Sequence, residues 1–236
     1  MSEASEVERI RERYRRRHER GLDERDFGFS AYGFETAQEK RRALVGWMRA
    51  AKLAPLERIR VFEIGCGHGD DLLDLIRLGF APENVFANEL LDERAAVARH
   101  RLPAGVTVFT GDATHVDLGA GSFDVVYQSM VFSSILDDQF QRALASFMWR
   151  LVRPGGGVLW YDFVFNNPAN ADVRGVPLRR LPVLFPAARI QSWSVTLAPP
   201  VGRRLVNIHP RAYGVANLLP WVRTHRLCWL HKTSST

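Results

Sequence analysis

From Arg60 onward, short apolar runs alternate along the chain with segments whose apolar residues recur at helical spacing. The apolar runs predict strands, and the periodic segments between them predict helices. Strands and helices in this alternation are joined by crossover connections, which place the strands parallel in one sheet with helices on both faces. The predicted strands are Val61–Ile64, Val85–Asn88, Val106–Phe109, Phe123–Tyr127 and Val158–Phe163, and the predicted helices are Asp70–Leu78, Asp92–Arg101 and Phe140–Val152.

The N-terminal part of the chain has a helical pattern of its own. Glu6–Arg20 is highly charged with few apolar residues, whereas Glu35–Leu53 carries one apolar face. Between them lies a loop, residues 27–34, whose aromatic rings either pack beneath a neighbouring helix or cover a ligand. We therefore predict that residues 1–54 form N-terminal helices with a possible role as a lid.

After the fifth strand the pattern becomes irregular. Residues 165–188 are rich in proline and show no clear period. Two further strands are predicted over Ile190–Leu197 and Thr224–His231, with a helix around Arg211–Val222 between them. The sheet then has seven strands, and residues 55–236 form one domain in which 165–188 are an irregular, substrate-side insertion.

Composition fits one α/β domain and excludes several other classes. The chain has 236 residues, of which 46% are hydrophobic and 25% charged, enough to bury a core. No apolar run approaches the ~20 residues of a membrane span, and the first residues are charged instead of forming an apolar signal segment. Two cysteines are too few for a disulfide framework, and the histidines lack metal-ligand spacing. We therefore expect a cytoplasmic protein without integral membrane association and without a metal.

The positive charge is concentrated near the C-terminus. The net charge is +6, and residues 171–236 contain ten Lys and Arg against one acid, Asp172. Such a segment is either an ordinary solvated surface or a positive rim that attracts an anionic substrate, a lipid head group or nucleic acid.

A glycine-rich turn follows the first predicted strand. Its sequence is Gly65-Cys66-Gly67-His68-Gly69, with Glu63 two residues before it and a predicted helix after it. Glycines let the backbone approach a ligand closely, and a helix N-terminus offers free N–H groups to an anion. The dinucleotide fingerprint needs a glycine where this chain has Asp70. The observed pattern, E-x-G-x-G-x-G, resembles motif I of the class I S-adenosylmethionine-dependent methyltransferases.

Four further motifs extend this resemblance over residues 55–165. Glu89 ends the second strand, where the family places a carboxylate on the adenosyl ribose, and Gly111-Asp112-Ala113 follows the third strand, where it places an acid near the adenine. Phe123–Ser129 is similar to the family's fourth-strand motif, and Leu151–Gly156 to its turn before the fifth strand.

The resemblance implies a Rossmann-like, doubly wound, mostly parallel seven-stranded sheet with helices on both faces, an N-terminal helical lid, and S-adenosyl-L-methionine as cofactor. The residues that it implies for cofactor binding are Glu63, Gly65, Cys66, Gly67, Gly69, Glu89, Leu90, Asp112, Ala113 and Gln128.

The implied function is methyl transfer to a small-molecule or saccharide acceptor, neutral or anionic, because the later segments are similar to a bacterial subgroup with such associations. O-methylation is placed ahead of N-methylation. A cofactor-binding module without catalysis, possible with the same fold, is a further alternative, and the oligomeric state stays open. Nucleic acid is not expected as a partner, because the fourth-strand motif reads Gln128-Ser129-Met130-Val131 and no basic patch with interleaved aromatic residues is present.

The candidates for chemistry lie after the fourth and fifth strands. Asp162 is predicted either as a general base or as a substrate anchor; the structural alternative is a carboxylate that caps the loop or pairs with Arg174. Gln128 and Ser129 are predicted to orient groups near the transferring methyl. The predicted substrate contacts are Tyr32, Tyr161, Asn166, Asn167 and Arg174.

Overall fold

The computed structural model describes residues 5–20, 30–166 and 170–234, and its centre is one seven-stranded sheet. The strand order is β3-β2-β1-β4-β5-β7-β6, with β7 antiparallel to both of its neighbours and the other pairs parallel. The predicted doubly wound, mostly parallel sheet is therefore confirmed. The strands are β1 (Val61–Ile64), β2 (Val85–Glu89), β3 (Thr107–Thr110), β4 (Phe123–Ser129), β5 (Val152–Phe163), β6 (Arg189–Leu197) and β7 (Arg223–His231).

Helices cover both faces of this sheet. On one face Phe62, Val126 and Trp160 are buried in the core that includes α5, and on the other Val61 and Leu159 are buried with residues of α2 and α3. The helices are α1 (Glu6–Glu19), α2 (Ala31–Ala50), α3 (Asp70–Arg77), α4 (Asp92–Arg101), α5 (Asp138–Leu151), α6 (Leu181–Leu184), α7 (Pro199–Ile208) and α8 (Pro210–Ala216). Among the described residues, none of these helices is both long and apolar enough to cross a membrane.

The order in which successive strands join the sheet reverses at β1, with β2 and β3 on one side and β4 on the other. Ile64, the last residue of β1, lies in register with Asn88 of β2 on one side and Gln128 of β4 on the other. The loops after these strands therefore open at one edge, where the connections diverge to opposite faces. Open α/β sheets bind ligands in the crevice at this point.

The prediction of one helix around 211–222 is corrected by the structure. The structure instead has two helices between β6 and β7, namely α7 and α8, followed by a single 3₁₀ turn at Pro220–Val222. Prolines start each of the two helices, because the first helical position needs no N–H and its φ suits proline. The extended backbone of His209, with φ −163°, separates them.

The N-terminal helices pack on the same edge of the sheet. Glu6 of α1 accepts a hydrogen bond from the Leu136 backbone at 2.9 Å, and Arg13 donates to the Ser134 carbonyl at 2.9 Å. In α2, Tyr32 packs so closely on Gly202 of α7 that any side chain at Gly202 would overlap the ring. The predicted division at residue 54 and the lid function stay predictions, and Phe27 to Phe29 of the aromatic loop lie outside the described residues.

Candidate functional site

A large cavity of about 1800 Å³ lies at the carboxyl ends of β1, β2, β4 and β5. Its floor is the glycine turn, and α1 contributes one wall. The other wall consists of α2, the ends of β5 and β7, the loop after β5 and the start of α7. Residues far apart in the chain therefore meet around one cleft that is open to solvent, and clefts are usual places for small-molecule sites.

All three glycines of the turn have positive φ, but the space that a side chain would meet differs among them. A Cβ on Gly65 (φ 67°) would lie 2.6 Å from a methyl group of Val131, and one on Gly69 (φ 85°) would lie 3.0 Å from Leu102. A Cβ on Gly67 (φ 56°) would meet nothing within 4 Å, although this glycine lines the cavity. The space in front of Gly67 is therefore open to a ligand, whereas Gly69, which does not line the cavity, lets the chain turn into α3.

Glu89 connects the end of β2 to the glycine turn. Its two carboxylate oxygens accept hydrogen bonds from the Gly67 N–H at 2.8 Å and from the Leu91 N–H at 2.9 Å. Each carboxylate oxygen has a second lone pair, so the group can also accept hydrogen bonds from hydroxyls in the cavity that it lines.

Glu63 is buried below the turn and also lines the cavity. Its Oε2 has no hydrogen-bond partner among the described residues. Burial, with the neighbouring charge of Asp71 as a smaller cause, raises the pKa of Glu63 well above its usual value. A buried acceptor without a partner in a cavity wall is costly, and a cationic or N–H group of a ligand would satisfy it.

Most of the predicted cofactor residues share this cavity, and two do not. Gly69 and Gln128 lie outside its lining. Gln128 is fully buried, donates to the Tyr161 carbonyl at 3.2 Å and accepts from the Val131 N–H at 2.9 Å, so it holds the loop after β4 in place. The residues that line the cavity are Glu63, Gly65, Cys66, Gly67, Glu89, Leu90, Asp112 and Ala113.

Asp162 is not placed as the sequence analysis expected. Its side chain is fully buried on the side of β5 opposite to the cavity-lining Tyr161 and Phe163, because successive side chains of a strand point to opposite faces. Its oxygens accept from the backbone N–H groups of Ser133 and Phe163, each at 3.0 Å. This geometry contradicts direct contact with substrate and supports the loop-capping alternative.

The position of Asp162 predicts a pH-dependent stability. Burial raises its pKa from 3.8 to about 7, against the lowering effect of the hydrogen bonds from Ser133 and Phe163. The folded state then binds more protons than the unfolded state between these values, so Asp162 makes the protein less stable as pH rises through that window, by at most about 1.4 kcal/mol per pH unit. Chemical denaturation of wild type and Asp162→Asn at several pH values measures this slope, which should be shallower in the variant; Glu63, whose pKa is also raised by burial, contributes equally to both proteins. Cofactor affinity should be unchanged in Asp162→Asn, and a large loss of turnover at unchanged stability would restore the role of general base.

Some of the predicted substrate contacts line the cavity and others do not. Tyr32, Tyr161 and Asn166 line the cavity, whereas Arg174 does not, and Asn167 lies outside the described residues. The Arg174 guanidinium forms an ion pair with Asp138 at the start of α5, not with Asp162 as the structural alternative proposed. The predicted contact of Arg174 with the acceptor stays a prediction that this ion pair does not favour.

Lys40 of α2 is a site residue that the sequence analysis missed. Its Nζ contacts Asp71 Oδ1 at 2.7 Å, donates to Ser129 Oγ at 2.8 Å, and lies 4.4 Å from the ring centre of Tyr161. Burial alone would raise the pKa of Asp71, but the charge and hydrogen bond of Lys40 outweigh it and lower the pKa. The sequence carries no signal for this cluster, because Lys40 resembles any charged residue on an amphipathic helix.

His225 is the second residue that was missed as a site residue. It lies on β7 opposite Phe163 and is stacked on Tyr161, with ring centres 5.4 Å apart and an interplanar angle of 17°. Its Nδ1 is 3.1 Å from Thr224 Oγ1, and the side chain lines the cavity. Burial first, and then the charge of Lys40, lowers the pKa of His225 to about 4. The imidazole is therefore neutral at pH 7 and can accept a proton.

The basic C-terminal region contributes to the cavity through different residues than predicted. Arg203 and Arg204 of α7 line it, and Arg17 of α1 does so from the opposite wall. Among the described residues of α2, β5, α7, β7 and the loop after β5, none of those that line the cavity is a carboxylate. The wall that these elements form is called the acceptor wall below, and it is positive.

Comparison with known proteins identifies relatives of the central part of the chain. Residues 61–156 match the family model described as a methyltransferase domain. The phthiotriol/phenolphthiotriol dimycocerosates methyltransferase 1 of Mycobacterium ulcerans is 34% identical over 155 residues, which cover 62% of this chain and 55% of that protein. The ubiquinone biosynthesis O-methyltransferase of Caulobacter vibrioides is 36% identical over 110 residues, covering 45% and 41%. The chain thus spans about half the length of the curated relatives it matches.

Solved structures extend the similarity to nearly the whole fold. Phosphoethanolamine N-methyltransferase 1 of Haemonchus contortus, in complex with phosphoethanolamine and S-adenosylhomocysteine, superposes with a TM-score of 0.66 at 13% identity and covers all of this chain and 51% of its own. An S-adenosylmethionine-dependent methyltransferase of Mesorhizobium loti superposes with a TM-score of 0.58 at 16% identity, covering 79% and 96%. These structures confirm the fold predicted from the sequence, and the sequence relatives are in keeping with the resemblance of the central part to methyltransferases.

Proposed function

We propose that this chain, which carries a class I S-adenosylmethionine-dependent methyltransferase domain, transfers a methyl group to a hydroxyl of a small, largely apolar acceptor. The observation that carries the proposal is a single cavity with two kinds of lining. Gly67, Glu89 and Asp112, at the ends of β1, β2 and β3, line one side, and the neutral His225 lies on the acceptor wall.

The glycine-turn side fits the cofactor. The open space at Gly67 would accept its amino-acid portion, the orphan Oε2 of Glu63 would accept from its ammonium group, and Glu89 would accept from the ribose hydroxyls. When bound, S-adenosylmethionine supplies an activated methyl group on a sulfonium. The protein then has only to align a nucleophile and, for a hydroxyl, to remove its proton.

The acceptor wall favours an apolar molecule with a hydroxyl. Phe34, Phe163 and Phe165 line it with aromatic surface, and Tyr161 lies beside them, its hydroxyl within hydrogen-bond distance of Thr196 at 2.9 Å. Rings in a pocket bury apolar ligand surface and leave few polar atoms to orient the ligand.

The charges of this wall favour a hydroxyl over an amine. His225 can take the hydroxyl proton because its imidazole is neutral, and Lys40 stabilises the negative charge that then develops on the oxygen. An ammonium acceptor would instead be repelled by Lys40 and by Arg203 and Arg204 at the rim. These arginines suit an acceptor that also carries an anionic group.

Two relatives support this choice. One is described as an O-methyltransferase of ubiquinone biosynthesis, and another as a methyltransferase of phthiotriol dimycocerosates. N-methylation is the second candidate, because the solved relative that covers the whole chain acts on phosphoethanolamine.

Titration calorimetry followed by a transfer assay tests the proposal. We expect the protein to bind S-adenosylmethionine and S-adenosylhomocysteine but not NADH. With labelled S-adenosylmethionine, phenols and long-chain alcohols should be methylated, whereas amines and saccharides should not. Transfer to amines alone would favour N-methylation, and cofactor binding without transfer to any acceptor class would favour a regulatory module.

A further inference from the structure

The segment between β6 and β7 exposes an unusual amount of apolar surface. This segment, residues 199–222, comprises α7, α8 and the 3₁₀ turn and is called the α7–α8 segment. Four large apolar side chains on it are between 67% and 77% exposed. They are Ile208, Val215, Leu218 and Trp221.

These residues lie on the outer side of the segment because its inner side is already packed. Gly202 and Val206 of α7 and Tyr213 of α8 are buried against Tyr32 and Leu197. Along α8 and its extension, the exposed residues Arg211, Val215 and Leu218 recur at helical spacing, so they share one face. Contiguous apolar surface of this kind marks an interaction site more often than a chance exposure.

The charge on the same segment has one sign. Arg203, Arg204 and Arg211 are exposed, and none of them forms an ion pair with a described residue. The sequence from Val173 to its last residue contains no Asp or Glu. Beside the segment, Glu35 and Arg42 of α2 line the shallow groove that contains Arg211, Val215 and Leu218, so one carboxylate borders this surface. The arginines outnumber it, and a surface of apolar side chains with a net positive charge is complementary to an anionic, partly apolar partner.

We propose that the outer face of the α7–α8 segment docks on an anionic lipid surface. Tryptophan and aliphatic side chains insert at the boundary between head groups and acyl chains, and arginine binds lipid phosphates. The same helix α7 presents Pro199, Pro200 and Arg203 to the cavity, so a docked segment would also be a wall of the site. This inference goes beyond the proposed function and does not depend on it, because docking requires neither cofactor nor acceptor.

Vesicle cosedimentation of the full chain tests the inference. Vesicles of phosphatidylcholine alone are compared with vesicles that also contain phosphatidylglycerol, at low and at physiological ionic strength. We expect wild-type protein to bind the anionic vesicles at least ~10-fold more tightly and to lose part of this affinity as salt increases. The double variant Leu218→Ser/Trp221→Ser and the single variant Arg211→Glu should each lose ~10-fold or more in affinity.

Two variants serve as matched controls. Val183→Ser removes an exposed apolar side chain from α6, and Arg49→Glu reverses an exposed charge at the end of α2. Both should bind vesicles like the wild type. Melting temperatures identify any variant that does not fold. If the double variant does not fold, the vesicle affinities of Trp221→Ser and Arg211→Glu are compared with that of the wild type instead.

Three results would overturn the inference. The first is equal binding to neutral and anionic vesicles, and the second is unchanged vesicle binding in the folded Leu218, Trp221 and Arg211 variants. The third is a concentration-dependent dimer in sedimentation equilibrium that these substitutions dissociate while no vesicle binding occurs, which would assign the surface to a second copy of the chain.

Discussion

Gly67→Val is expected to abolish S-adenosylmethionine binding, with an affinity loss of at least ~100-fold. The φ of 56° at Gly67 is poorly accessible to a β-branched residue. The new side chain would also project into the open part of the cavity in front of Gly67, where the cofactor is proposed to bind. The Gly67 N–H would also be displaced from Glu89 Oε2. Titration calorimetry with S-adenosylmethionine and S-adenosylhomocysteine measures the effect.

Gly121→Val is the matched control for backbone strain. Gly121 has a φ of 66°, and a Cβ there would only come within 3.7 Å of Arg153, away from the cavity lining. This variant should lose stability but keep cofactor affinity. The cofactor affinity of Glu89→Ala should lie between those of Gly67→Val and Gly121→Val. Loss of the hydrogen bonds proposed from the ribose hydroxyls to Glu89 should weaken binding by roughly 1–3 kcal/mol. If Gly67→Val binds the cofactor like the wild type, the glycine turn is not the cofactor site.

His225→Gln is expected to lower kcat by ~100-fold or more while leaving the affinity for S-adenosylmethionine unchanged. The imidazole is neutral and lines the acceptor wall, where glutamine can form hydrogen bonds but cannot accept the acceptor's proton. The wild-type value of kcat/KM should rise with pH through about 4 and then level off, and this limb should be absent in the variant. Single-turnover rates across pH measure both effects, provided the protein stays folded at the acidic end.

His231→Gln is the matched control on the same strand. His231 lies beside Trp229 at the other end of β7 and does not line the cavity. Lys40→Met offers a second check, because loss of the nearby charge should move the acidic limb of the profile to higher pH. An unchanged kcat in His225→Gln would exclude the imidazole as the base. A raised KM alone would reassign it to acceptor binding.

The glycine-turn side of the cavity was predictable because its signals are local. Gly65 and Gly67 follow directly on a buried strand, and a helix follows them, so their turn is determined by neighbours in the chain. Glu89 and Asp112 stand at the ends of the next two strands, and parallel strands with crossover connections bring such ends to one edge of a sheet. The number of strands and most of their bounds followed from the same periodicity.

The sequence could not show that Asp162 and Arg174 lie away from the cavity lining. Alternation along β5 places Tyr161 and Asp162 on opposite faces, but the sequence does not say which face borders the cavity. That depends on which side α2 and α7 cover. Likewise, the pairing of Arg174 with Asp138 depends on how the irregular insertion crosses α5.

The amino-acid sequence by itself determined the doubly wound fold, the family resemblance and the glycine-turn side of the cavity, since these follow from short-range patterns. Tertiary structure alone decided the opposite side, which contains Lys40 and His225. Lys40 reaches Ser129 across 89 positions of sequence, and His225 reaches Tyr161 because β7 inserts antiparallel between β5 and β6. Such contacts arise from the packing of whole elements, and no local propensity or spacing encodes them.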